Sequence, residues 1–148
     1  MVFNLIIGLI IIGINVLIHA YGTRFWILRI HRRHPNFSSY PLDNKSLWIV
    51  IFTASFLIIL SFLEAFIWGV TYYILPDVTE FADLEKSVYF SIVTYTTLGY
   101  GDITISTTNR LLSGFEAMNG ILLLGWSTTI MFSIIQDLLK NTFNEIED

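Results

Sequence analysis

Three apolar stretches constrain what this chain can fold into. The first runs from Val2 to Ala20 with Asn4, Asn15 and His19 as polar interruptions, the second from Leu47 to about Leu75 with one charge at Glu64, and the third from Leu111 to about Ile135 with one charge at Glu116. Each reaches or exceeds the ~20 residues that carry a helix across ~30 Å of hydrocarbon. Of the 148 residues, 54% are hydrophobic and only 14% are charged, a balance that a water-soluble domain of this size does not keep. The predicted fold class is an all-α membrane protein with three transmembrane helices. A cleaved leader is the alternative for the first stretch, but the basic n-region and the A-x-A-like site are missing. No cysteine is present, which removes disulfides and thiolate metal sites, and no basic stripe points to nucleic acid.

Charge placement sets an expected orientation. Arg24, Arg29, Arg32, Arg33 and Lys45 are five of the eight basic residues and lie between the first and second stretches. The positive-inside rule places that loop in the cytoplasm, the N-terminus outside and the C-terminus inside. Residues 76–110 then lie on the outer side. "YGTRFWILRIHRRHP" mixes those arginines with Phe25, Trp26, Ile27, Leu28 and Ile30. This suits a helix in the cytoplasmic interface, where four arginines per chain meet anionic lipid. Topology determination alone is the simpler reading of the same charges. His19, His31 and His34 invite a pH-sensor or metal reading, against which solvated or interfacial histidine is the plainer expectation.

The connection between the second and third stretches is not an ordinary loop. Pro76 is expected to stop the second helix, and "DVTEFADLEKSVYFSIVTYTT" follows. Asp83 is a fitting N-cap, and Glu85 suits the positive end of a helix dipole. Leu84, Val88, Ser91, Ile92 and Tyr95 fall at helical spacing. The segment reads as a helix too short to span, one that dips into the membrane and returns.

"TYTTLGYGD" at 94–102 follows it. Gly99 and Gly101 open positive φ to the backbone, so alternating conformations can turn successive carbonyls to one side. Thr97 adds a hydroxyl oxygen. A row of oxygens at membrane depth replaces the hydration shell of a cation, and the negative end of the short helix favours that charge.

The heptapeptide "TTLGYGD" resembles the potassium-channel signature T-x-G-Y-G-D, with Leu98 where Val is commoner. Over roughly residues 47–137 the chain is similar to the pore module of small bacterial potassium channels, with one additional N-terminal helix. The resemblance implies an outer helix at 47–75, a pore helix at 83–95, a filter at 96–102 and an inner helix at 109–137. Residues 1–34 would precede this module, 35–46 would be a cytoplasmic linker and 138–148 a short cytoplasmic tail.

Carried over residue by residue, the resemblance gives the potassium ions to the carbonyls of Thr97, Leu98, Gly99 and Tyr100. Thr96, Gly101 and Val93 would support the filter. Tyr100 would be braced by the pore-helix aromatics Tyr89 and Phe90. Asp102 would stand at the outer mouth, a solvated surface acid being its bland alternative. Gly120 matches the hinge glycine of the inner helix, though a close helix–helix contact explains a glycine equally well. Ile121, Leu124, Thr128 and Phe132 would line the central cavity, and Phe132 or Ile135 would form a constriction that gates by dewetting.

One chain supplies one carbonyl per layer, whereas a dehydrated potassium ion takes about eight oxygens from two layers, so a homotetramer is expected. The function so implied is passive, potassium-selective conduction across the cell membrane. The alternatives are a weakly selective cation pore and a non-conducting partner subunit. No nucleophile–base set or Walker loop suggests an enzyme, and no arginine ladder suggests voltage sensing.

Glu64 and Glu116 are ionisable residues inside spanning helices, hence functional candidates. At ~1.5 Å per residue, Glu64 lies roughly 6 Å and Glu116 about 7–8 Å below the outer edge of a ~30 Å core. Matched depth predicts two carboxyls behind the filter, sharing a proton with each other or bonding Asn119, Thr94 or Thr96, with separate private partners as the alternative.

Overall fold

The computed structural model describes residues 2–34, 44–75, 81, 83–105 and 109–147. Four helices follow in chain order: α1 (Val2–Arg33), α2 (Asn44–Ile74), α3 (Leu84–Tyr95) and α4 (Arg110–Glu147). No strand occurs among the described residues. Three of these helices are long and apolar enough to cross a membrane, over Phe3–Arg33, Asn44–Ile74 and Arg110–Lys140. The chain is an all-α, multi-pass membrane protein.

Three helix bounds differ from the sequence reading. α1 does not end near Ala20 with a separate interfacial helix after it. It continues unbroken through the basic segment for 32 residues, about 48 Å at ~1.5 Å per residue. Nothing between Ala20 and Arg33 removes a backbone donor; Gly22 is the weakest helix former there, and the proline comes only at position 35. α2 begins at Asn44 rather than 47, and α4 runs ten residues past the expected end at 137, to Glu147. Pro76, expected to end α2, and most of the linker, 35–43, lie outside the described residues.

The helices form two compact units, one of Met1–His19 with Ser61–Leu124 and the other of Ala20–Leu60 with Gly125–Asp148. The first is built on Trp68, Tyr72, Phe81, Phe90, Tyr95, Leu112 and Leu123, with Ile11 of α1 against them. Tyr72 is its hub: the Phe90 ring meets it edge-on at 5.2 Å, Phe81 tilts against it at 5.9 Å, and Trp68 lies 6.2 Å away. Such offset and edge-on pairs satisfy the ring quadrupoles. In the second unit Ile30, Ile49, Ile134 and Leu138 form the buried cluster. Trp26 stacks on Phe56 at 4.5 Å and donates its ring N–H to the Thr53 hydroxyl at 3.0 Å.

Large apolar side chains stay exposed on the outer faces, among them Leu9 and Ile10 of α1 and Ile58, Ile59 and Phe62 of α2. In hydrocarbon this surface is no penalty. Helix association there depends on packing and on hydrogen bonds between helices rather than on apolar burial. The polar contacts inside the first unit therefore matter most, and they converge on α3.

Candidate functional site

α3 and the turn after it carry the site. Asp83 caps the helix in an extended conformation, its carboxylate accepting the Lys86 N–H at 2.9 Å. Glu85 stands in the first turn, where a negative charge suits the dipole. The helix ends at Tyr95, and Thr96 closes it with its N–H on the Ile92 carbonyl at 3.0 Å. Its hydroxyl returns to the same carbonyl at 2.7 Å.

From Thr97 the backbone alternates. Thr97 has φ 58°, Gly99 φ 58° and Gly101 φ 77°, so every second residue is left-handed. Glycine takes that conformation freely. Thr97 does not, and a β-branched residue there is held against its own preference. The amide hydrogens of this segment point back into the helix end: Thr97 N–H reaches Thr94 O at 2.9 Å, while Leu98 and Gly99 N–H share the Val93 carbonyl at 3.0 and 3.3 Å. The carbonyls of Thr97, Leu98, Gly99 and Tyr100 accept no hydrogen bond from the described residues. Sequence reasoning expected glycine to permit this alternation; it did not expect threonine to join it.

The flanking residues take more specific places than the sequence suggested. Asp102 is held by the Tyr89 hydroxyl at 2.8 Å, which ties the far end of the segment to the second turn of α3. Donating to that carboxylate raises the Tyr89 pKa above the usual phenol range, since ionised tyrosine would face a negative charge. The Phe90 ring packs on Tyr72 and Phe81. Tyr100 is 67% exposed. A hollow of about 270 Å³ is lined by Tyr89, Phe90, Val93, Thr94, Gly99 and Asp102, among others.

The two intramembrane acids do not meet. Glu116 takes the Tyr72 hydroxyl at 2.8 Å and that of Ser91, which also lies against the Ala65 carbonyl oxygen. Glu64 takes the Tyr95 hydroxyl at 2.6 Å and lies 2.8 Å from His19 Nδ1. The shared-proton expectation is thus corrected to separate partners. Ser91 and Tyr95 are one turn apart on α3, so the acids do reach the same helix, but on successive rungs. Thr94, Thr96 and Asn119 take no part. Both side-chain polar atoms of Asn119 are buried without a hydrogen-bond partner among the described residues.

His19 is likewise corrected: it is neither solvated nor interfacial but fully buried. Asn15 donates to the Glu64 main-chain oxygen at 3.3 Å, and Asn4 to the Asn109 side chain at 2.7 Å. The sequence held a signal for this. Asn4, Asn15 and His19 are spaced 11 and 4 apart, so they share one face of a helix.

On α4, Leu112, Glu116, Asn119 and Leu123 are buried in the first unit, while Ile121 is 62% exposed. Leu124, expected beside Ile121, instead packs partly against the core. In the second unit Thr128 and Phe132 are exposed and Ile135 is half-buried. α4 passes through Gly120 as regular helix. A β-carbon built on Gly120 would lie 2.7 Å from the carbonyl carbon of Tyr95 and closer still to its oxygen. The close-contact reading of Gly120 therefore has a direct physical cause.

No curated protein and no solved structure matches the chain. A protein-family model does, over residues 47–137, which span α2, α3, the turn after it and most of α4, and its description is "Ion channel". A helix pair bracketing a short third helix and a segment of bare carbonyls, together with that match over more than half of its length, makes this chain a member of the ion-channel family.

Proposed function

We propose that the chain is the subunit of a homotetrameric, potassium-selective channel that conducts passively across the cell membrane. The observation that carries this reading is the backbone of 97–101. Left-handed φ on every second residue and amide hydrogens committed to the end of α3 leave four successive carbonyls without partners among the described residues. Unsatisfied carbonyls at membrane depth are costly unless a cation or water meets them. Potassium, as cargo, would be held by the carbonyls of Thr97, Leu98, Gly99 and Tyr100, with the Thr97 hydroxyl at the inner end.

Four copies around one axis supply the oxygens that one chain lacks. The exposed Tyr100 ring and the hollow by Tyr89 and Val93 suit each other as faces of adjacent subunits. Ile121, Thr128 and Phe132 are the exposed positions of α4 that would border the cavity, with Gly120 seating the inner helix on α3. The N-terminus would lie outside and Glu147 inside. At the inner end, a slot of about 280 Å³ among Trp26, Arg29, Ile30, Arg33, Ile49 and Phe52 suits the headgroup of an anionic lipid, with Arg24 and Arg32 nearby in sequence.

Purified protein in liposomes, loaded with potassium against sodium, tests the reading. The expected result is a potassium flux that barium blocks, since barium has nearly potassium's size and twice its charge. Equal sodium and potassium flux would replace it with a weakly selective pore. No flux from protein shown to be a tetramer would make the chain a partner subunit.

A further inference from the structure

α1 lies outside the residues that match the channel family, yet it sends buried polar groups into the pore-forming elements. His19 and Glu64 are 0% exposed and Tyr95 is 1%. They form a line of hydrogen bonds: His19 Nδ1 lies 2.8 Å from Glu64 Oε1, and Glu64 Oε2 accepts the Tyr95 hydroxyl at 2.6 Å. The Nδ1–H tautomer is the one that suits a carboxylate acceptor. Asn15, one turn before His19, adds its amide to the Glu64 main-chain oxygen. At the other end, Tyr95 is the last residue of α3, and its carbonyl is the group on which Gly120 closes. Two residues later the left-handed alternation begins.

We propose that His19 is a positioning residue for the filter, acting through Glu64 on Tyr95. This rests on the reading of residues 97–100 as the ion-binding segment. A carboxylate is a rigid plane, so fixing Oε1 fixes Oε2 and with it the direction in which the Tyr95 hydroxyl is drawn. Remove His19, and a buried carboxylate oxygen loses its partner, which a buried polar group tolerates poorly. The carboxylate then turns toward another donor, and the end of α3 loses its fixed orientation. An ion site works only when its oxygens are held to within about 0.5 Å. The N-terminal helix is on this view a part of the selectivity apparatus and not only an anchor.

The test uses the full chain with His19→Leu, which keeps a similar side-chain volume, together with Tyr95→Phe, the double variant and His19→Asn. Potassium-to-sodium permeability is read from reversal potentials in liposomes, and amide exchange of Thr97, Leu98 and Gly99 by mass spectrometry in detergent. His19→Leu and Tyr95→Phe are each expected to lower the permeability ratio about fivefold or more. Each is also expected to speed exchange of those amides roughly tenfold. The double variant should do no more than the stronger single one. His19→Asn should restore both readouts, because its side-chain amide places an N–H where Nδ1 stood.

Wild-type selectivity and wild-type exchange in a folded His19→Leu chain would overturn the proposal and leave α1 an anchor. Should His19→Leu fail to fold, Tyr95→Phe decides alone: unchanged exchange there breaks the line at its last bond. A wild-type protein that passes no potassium would defeat the channel reading, while the exchange comparison would still decide this one.

Discussion

Replacing Gly120 by alanine adds one methyl group where α4 lies against the end of α3. The new β-carbon would lie 2.7 Å from the Tyr95 carbonyl carbon and 3.1 Å from its Cα. Carbon atoms at rest stand ~3.5–4.0 Å apart, so α4 must retreat from α3 by about 0.8 Å or more. Backbone on both sides offers no rotamer through which to escape. Overpacking of this kind costs about 1–3 kcal/mol, offset by less than ~1 kcal/mol from alanine's better helix propensity. Gly114 is the matched control, because a β-carbon there meets nothing within 4 Å, so Gly114→Ala keeps the propensity gain without the clash. Thermal unfolding of the two variants in detergent, followed by tryptophan fluorescence, should separate them by several degrees. Potassium flux should fall in Gly120→Ala alone, since the displaced carbonyl belongs to the residue that leads into the proposed filter. Equal melting and equal flux in the two variants would refute the close approach and return Gly120 to the hinge reading.

Gly99→Ala should abolish conduction while the protein still inserts and assembles. A β-carbon at Gly99 has open space around it, so the effect is backbone strain at φ 58°, about 1–2 kcal/mol for a left-handed alanine; wild-type flux would remove the residue from the filter. Tyr89→Phe cuts the hydroxyl bond from α3 to Asp102 and should raise sodium leak with little change in melting, as bonds between exposed groups contribute about 1 kcal/mol or less; unchanged leak would make Asp102 a bystander. Glu64→Gln and Glu116→Gln should destabilise additively, within ~0.5 kcal/mol, because they share no partner. A strongly non-additive double variant would revive a shared proton.

The shared level of the two acids along the helices was legible in the sequence, and direction around each helix was not. Counting residues from the ends of the apolar stretches placed Glu64 and Glu116 level with the short helix, and both do bond it. Two groups at one depth can still face different sides, and Tyr72 and His19 decided which. The Asp83 cap and the "TTLGYGD" turn were readable because each depends on local backbone chemistry. The bonds from α1 were hidden for the opposite reason: Asn4, Asn15 and His19 looked like scattered interruptions until their common face was counted. The length of α1 was missed because a run of arginines suggested a change of environment, whereas arginine is a good helix former and gave the backbone no cause to stop.

The polar face of α1 also sets a timetable for biosynthesis. His19 and Glu64 are separated by 45 residues and Asn4 and Asn109 by 105. At ~5–20 residues per second, the acid emerges from the ribosome roughly 2–9 s after the histidine, and the second asparagine about 5–20 s after the first. Through that interval α1 resides in the translocon or the bilayer without its contacts to Glu64 and Asn109, a state that lowers its preference for leaving the aqueous channel. The polar face of the first helix is therefore completed only well after the helix itself has been made.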